Sequence, residues 1–164
     1  MPYDLNIHEV ITRLGLQPHP EGGYYAETFR SRENVIRPDG QVRSASTAIH
    51  FLLPAGAFSA LHRVLSDEAW HHYGGMPLEL VTISPEGSLE RVILGPDLSN
   101  GQRPQHIVPS GHWQAARPLE GGAALVGCTV APGFDFADFE MPPRADLIEL
   151  FPELTALILE FTYP

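Results

Sequence analysis

Proline and glycine punctuate this chain so densely that only short regular elements fit beyond its opening segment. The 16 prolines and 15 glycines divide it into short apolar-rich pieces at 23–30, 45–53, 68–73, 78–84, 89–94, 105–109, 123–130 and 155–162. Proline removes a ladder donor, and Gly, Pro and Asp set the backbone of turns, so pieces of this length read as strands of a sandwich or small barrel. The opening segment differs. Asn6 can cap a helix, Glu9 follows three residues later as in a capping box, and Ile7, Val10, Ile11 and Leu14 share one face. Gly15 then suits the left-handed position that ends a helix, so the spacing predicts a helix over 6–14. A second short helix fits 144–151, between Pro143 and Pro152, and the polar stretch 32–42 with Pro38-Asp39-Gly40 reads as an exposed loop. There is no internal repeat, low-complexity tract or linker, so 1–164 reads as a single domain.

Acidic residues outnumber basic ones by 20 to 10, a formal charge of -10. Such a surface repels phosphate backbones and anionic lipid, which argues against nucleic acid and membrane as partners. The lone cysteine, Cys128, lies in an apolar run and reads as a reduced core thiol. The start, MPYDLNIHEV, has neither the basic nor the apolar stretch of a signal peptide, so the expected location is the cytoplasm.

The chemistry concentrates in Ser59–Leu80, SALHRVLSDEAWHHYGGMPLEL. Two strands flank the turn Leu65-Ser66-Asp67, and side chains alternate along each. If His62 faces inward, so does Val64, and on the returning strand Glu68, Trp70 and His72 share a face. An imidazole and a carboxylate then stand across a hairpin, close enough to share a proton or a metal. Thr47, Gln105 and Gln114 are neutral hydrogen-bonding groups on expected barrel strands, and Tyr25 or Glu27 can reach a pocket rim.

His62, Glu68 and Gly75 resemble the first cupin motif, in which two histidines one residue apart precede the glutamate and glycine. Pro109-x-Gly111 followed by Gln114 resembles the second, with Val64 and Gln114 where histidines would stand. A narrower resemblance runs through His19-Pro20-Glu21-Gly22-Gly23-Tyr24-Tyr25, the segment 61–73, Gly101-Gln102-Arg103-Pro104-Gln105, Trp113-Gln114 and 132–140. On these strings the chain is similar to the uncharacterised bacterial and fungal Cupin-5 family. The resemblance implies an all-β double-stranded β-helix (a jelly-roll barrel) and a homodimer. Fold similarity to sugar-nucleotide epimerases is analogy only.

The expectation is a cupin-type protein that binds a small polar, sugar-like or acidic metabolite and acts as a metal-independent epimerase or isomerase. His62 and Glu68 would be catalytic, with His62 the base, and Thr47, Trp70, His72, Gln105, Gln114 and Tyr25 would bind ligand. No cofactor is expected. The alternatives are a metal-dependent dioxygenase or decarboxylase, with a divalent metal on His62 and Glu68, and a non-catalytic ligand-binding module.

Overall fold

Asn6 caps the first helix as its spacing predicts. Its side chain accepts from the Glu9 amide at 3.1 Å, and α1 runs over Ile7–Leu14 until Gly15 turns left-handed at φ 63°. In the computed structural model, which describes residues 4–164, Ile7, Val10, Ile11 and Leu14 pack with Leu16 and Leu52 on a six-stranded sheet. That sheet is ordered β1 (Gln17–Pro18), β2 (Tyr24–Arg30), β5 (Thr47–Leu53), β12 (Ala124–Ala131), β7 (Asp67–Gly75) and β10 (Gln105–Val108). Facing it is a five-stranded sheet ordered β13 (Phe139–Glu140), β6 (Ser59–Val64), β11 (Trp113–Pro118), β8 (Leu78–Ile83) and β9 (Leu89–Leu94). Neighbours in both sheets run antiparallel while sequence order jumps between them, as the expected all-β jelly roll requires.

The core forms in layers. Phe51, Leu53, Trp70, Leu78, Leu80, Val126 and Cys128 fill the space between the sheets. The outer face of the five-stranded sheet, through Leu61, Val81, Ile83 and Trp113, is covered by α2 (Arg144–Leu150) and α3 (Thr155–Glu160). This is why every residue of β8 is buried: Leu78 and Leu80 face one layer, Val81 and Ile83 the other. Each such side chain stabilises the fold by roughly 1.5–3 kcal/mol relative to exposure.

Three expectations change. The stretch 155–162 is no strand: Thr155–Glu160 form helix α3, because Leu157, Ile158 and Phe161 recur at helical spacing and are buried against the sheet. The stretch 32–42 is no plain loop: β3 (Asn34–Ile36) pairs with β4 (Val42–Ser44) around the Pro38-Asp39-Gly40 turn, where the Asp39 carboxylate accepts from the Gln41 amide at 3.0 Å. Finally, β6 and β7 are not partners in a hairpin. The turn between them carries the chain from one sheet to the other, so His62 and Glu68 meet across the gap between sheets.

Candidate functional site

The segment His19-Pro20-Glu21-Gly22-Gly23 makes a tight turn, in which the Gly22 amide donates to the His19 carbonyl at 3.0 Å and the His19 amide to the Gly23 carbonyl at 3.0 Å. Gly22 sits at φ 115° and Gly23 at φ 70°, conformations in which side chains are strained. The turn is pressed against β6, where the Glu21 carbonyl accepts from the Ala60 amide at 2.8 Å. It thereby delivers His19 and Glu21 into the end of the gap between the sheets.

There the Glu21 carboxyl, almost fully buried, accepts from the Ser59 hydroxyl at 2.8 Å, and its other oxygen lies 3.1 Å from His62 Nε2. His62 Nδ1 donates to the Ala60 carbonyl at 2.7 Å, since a carbonyl oxygen only accepts. One proton is therefore shared between His62 Nε2 and Glu21. Burial favours the uncharged arrangement: it pushes Glu21 up to about 8 and His62 below the ordinary histidine value. His19 is held down at about 4, first by burial and then by the nearby His62.

Glu68 stands on the opposite sheet, also buried. Gln114 donates from Nε2 to its Oε2 at 2.6 Å, and the Cys128 thiol lies against it. Burial raises the Glu68 carboxyl above the ordinary glutamate range, an effect that the facing His62 partly offsets. The same burial, together with the neighbouring acids Glu68 and Glu21, raises the Cys128 thiol well above its usual value, so it is a protonated neighbour and not a nucleophile.

His19, Glu21, His62, Glu68 and Cys128 form the polar floor of a cavity of about 460 Å³. Thr47, Tyr25, Ile49, Val64 and Val130 wall it, and Phe134 and Phe136 lie along its mouth with Glu27, Arg30 and Asp135. The strap that carries the two phenylalanines is tied down at several points. The Phe134 amide donates to Thr47 Oγ1 at 2.9 Å, and Arg30 donates to the Phe134 carbonyl at 3.1 Å. Asp138 accepts two hydrogen bonds of 2.8 Å from Arg43 and lies 2.8 Å from Arg37, both in or beside the β3–β4 hairpin. The Phe139 ring then stacks on His62, 5.3 Å between centroids.

Of the residues singled out from sequence, His62, Glu68, Thr47 and Tyr25 line this cavity, and Trp70, His72, Gln105 and Gln114 do not. Trp70 faces inward as alternation requires but lies further along the strand, in the core against Phe51. Its indole N–H donates to Gln114 Oε1 at 2.7 Å, which fixes the Gln114 amide so that the nitrogen meets Glu68. His72 is held on the Met76 carbonyl at 2.9 Å. Gln105 pairs in register with His71 and so shares its outward face, where it is exposed. Glu21 and His19 stand in the sequence only as members of the family-like string at 19–25, with no site role assigned to them. The adjacent Gly22-Gly23 pair was the available signal, because glycines that permit close packing also bring the preceding side chains inside.

A divalent metal does not fit this donor set. His62 has both ring nitrogens engaged, Val64 offers nothing, and Gln114 has its carbonyl oxygen on Trp70 and a nitrogen toward Glu68. Among the described residues no cluster of three or more His, Cys, Asp or Glu is disposed to hold a metal ion. No helix among them is long and apolar enough to cross a membrane.

The chain is similar to three proteins across most of its length. It is 30% identical to the uncharacterized protein YML079W of Saccharomyces cerevisiae over 152 residues, 81% of this chain and 73% of the relative. A hypothetical protein from Leishmania major superposes with a TM-score of 0.91 at 37% identity, covering 96% of this chain and 98% of that one. Protein SO0799 from Shewanella oneidensis superposes with a TM-score of 0.90 at 38% identity, covering 98% and 99%. The model of the family described as Cupin superfamily (DUF985) matches residues 8–142. The two facing antiparallel sheets are those of a cupin, and with its family model matching over most of its length the chain belongs to the Cupin_5 family.

Proposed function

We propose that this chain binds a small, neutral, sugar-like metabolite in the cavity and moves a proton at one of its carbons without a metal, as an epimerase or isomerase. One observation carries the reading: Glu68 is desolvated, held at a single oxygen by Gln114, and lines the cavity. A carboxyl group raised toward neutrality by burial both takes and returns a proton at working pH. His62 changes role relative to the expectation from sequence. Both its ring nitrogens are engaged by the protein, so it holds Glu21 in place and leaves the proton transfer to Glu68, which touches the ligand.

The walls support a hydroxylated ligand with one apolar face. Tyr25, Phe134 and Phe136 offer aromatic surface opposite the polar floor. Arg30, the arginine among the described residues that line the cavity, is paired with Glu27 at 2.6 Å, which offsets its attraction for an acidic metabolite. The test is to incubate metal-stripped protein with keto-sugars and hydroxy acids in heavy water and follow deuterium into carbon. Enzyme-dependent exchange in a neutral sugar supports the reading. Background exchange in every ligand that demonstrably occupies the cavity contradicts it, and favours a binding module.

The chain is further proposed to form a homodimer. The six-stranded sheet ends at β1 and β10, whose outer backbone groups a second copy can cover, and Phe29, Tyr73 and Ile107 of that sheet are exposed. Light scattering at micromolar concentration should give twice the chain mass, and a monomer contradicts the pairing.

A further inference from the structure

His19 is the one imidazole at the cavity whose hydrogen-bonding leaves a defined donor unspent. Its Nδ1 accepts from the Glu21 amide at 3.1 Å, across the same turn that fixes the ring. An acceptor nitrogen carries no proton, so the neutral ring bears its hydrogen on Nε2. No described residue takes a hydrogen bond from that nitrogen, and the ring lines the cavity, with its side chain only 6% exposed. The orientation is over-determined: the ring packs edge-on to Tyr25 at 4.5 Å and to Phe51 at 5.7 Å. Burial and the neighbouring His62 hold it uncharged across the neutral range.

We propose that His19 Nε2–H is the donor to a carbonyl oxygen of the ligand, which makes the substrate class a neutral α-hydroxycarbonyl compound, an open-chain ketose or aldose. The assignment rests on the proton-transfer reading of Glu68 and adds its electrophilic half. Glu68 as carboxylate takes the proton from the carbon beside the carbonyl. The electron pair of that C–H bond becomes the carbon–carbon double bond, and the carbonyl π pair moves onto oxygen, where His19 Nε2–H meets the developing charge. Return of the proton to either face of the same carbon restores the carbonyl; return to its neighbour moves the carbonyl by one carbon, as the proton of the adjacent hydroxyl passes to the former carbonyl oxygen of the enediolate. Nothing is oxidised or reduced overall. A neutral donor suits the task because it stabilises an enediolate without first surrendering a proton to the cavity acids.

The test uses the full chain labelled with nitrogen-15 at histidine and two probes that differ in one group. L-erythrulose is a four-carbon ketose that closes no stable ring, and meso-erythritol is the same skeleton without the carbonyl. Erythrulose is expected to bind about tenfold more tightly and to shift the His19 Nε2 resonance, the difference one well-formed hydrogen bond makes. His19→Phe keeps the aromatic packing and should erase that preference. His19→Gln, which retains a donor near the Nε2 position, should keep most of it. Equal affinity for the two probes, an unshifted Nε2, or no binding of either overturns the assignment. A separate arm follows deuterium into bound erythrulose. Binding through His19 without exchange supports the carbonyl contact and contradicts proton transfer. Exchange into ligands whose binding ignores His19→Phe leaves proton transfer standing and overturns the His19 assignment.

Discussion

Glu68→Gln is expected to lower ligand-dependent deuterium exchange by about 10²–10⁴-fold, the usual contribution of a positioned acid–base group, while ligand affinity changes little. The amide preserves the shape of the side chain and can still meet Gln114, which already holds Oε2. It removes the group that accepts the proton. The sign of the pH dependence follows from the same residue. Exchange needs the carboxylate, so its rate in the native protein should rise with pH through the Glu68 titration. Burial places that titration above the ordinary glutamate range. Exchange that is already full at pH values where ordinary carboxylates ionise, or that survives in Glu68→Gln, assigns the proton transfer to another group.

Gly22→Ala should destabilise the protein by about 3 kcal/mol or more, with a melting temperature lower by roughly 10 °C. Two costs act together. Gly22 lies at φ 115°, which residues with a Cβ avoid, and an added Cβ would collide with the backbone carbonyl oxygen of Phe58 while standing 2.5 Å from the Tyr163 hydroxyl. Phe58 leads into β6, so relief by movement displaces Ser59, Ala60 and His62, the groups that hold Glu21. Gly15→Ala is the control: it has a positive φ of 63° but meets nothing within 4 Å. It should cost about 1 kcal/mol, the strain of the backbone alone. Thermal melts of the two variants check the comparison, and equal losses would mean that close packing against β6 contributes nothing.

The contrast between these glycines shows what was legible in the sequence. The cap at Asn6 and the stop at Gly15 are local, and both follow from spacing alone. The strands follow from punctuation, and alternation correctly turned His62, Val64, Glu68 and Trp70 inward. Alternation does not say how far along the gap a side chain lies. That distance separates Glu68, at the cavity, from Trp70, in the core. Nor does it say which sheet a strand joins, so β6 and β7 were read as a hairpin although they belong to opposite sheets. The partner of His62 was hidden for the same reason. Glu21 lies far away in sequence and reaches the imidazole through a turn whose close approach to β6 depends on the missing Cβ of Gly22. The error at 155–162 was of another kind. Its aliphatic composition suggested a strand, and only packing of Leu157, Ile158 and Phe161 on one sheet face selects the helix.

The central claim is that burial in the cavity raises the Glu21 and Glu68 carboxyls above the ordinary glutamate range. Carbon-13 NMR titration of glutamate carboxyls in the metal-stripped native protein measures this directly, with Glu21→Gln and Glu68→Gln assigning the signals. The account predicts a Glu21 midpoint of about 8 and a Glu68 midpoint above the ordinary glutamate value. Midpoints for both in the ordinary carboxylate range would show acids fully ionised at neutral pH, and would contradict the proton-transfer site described above.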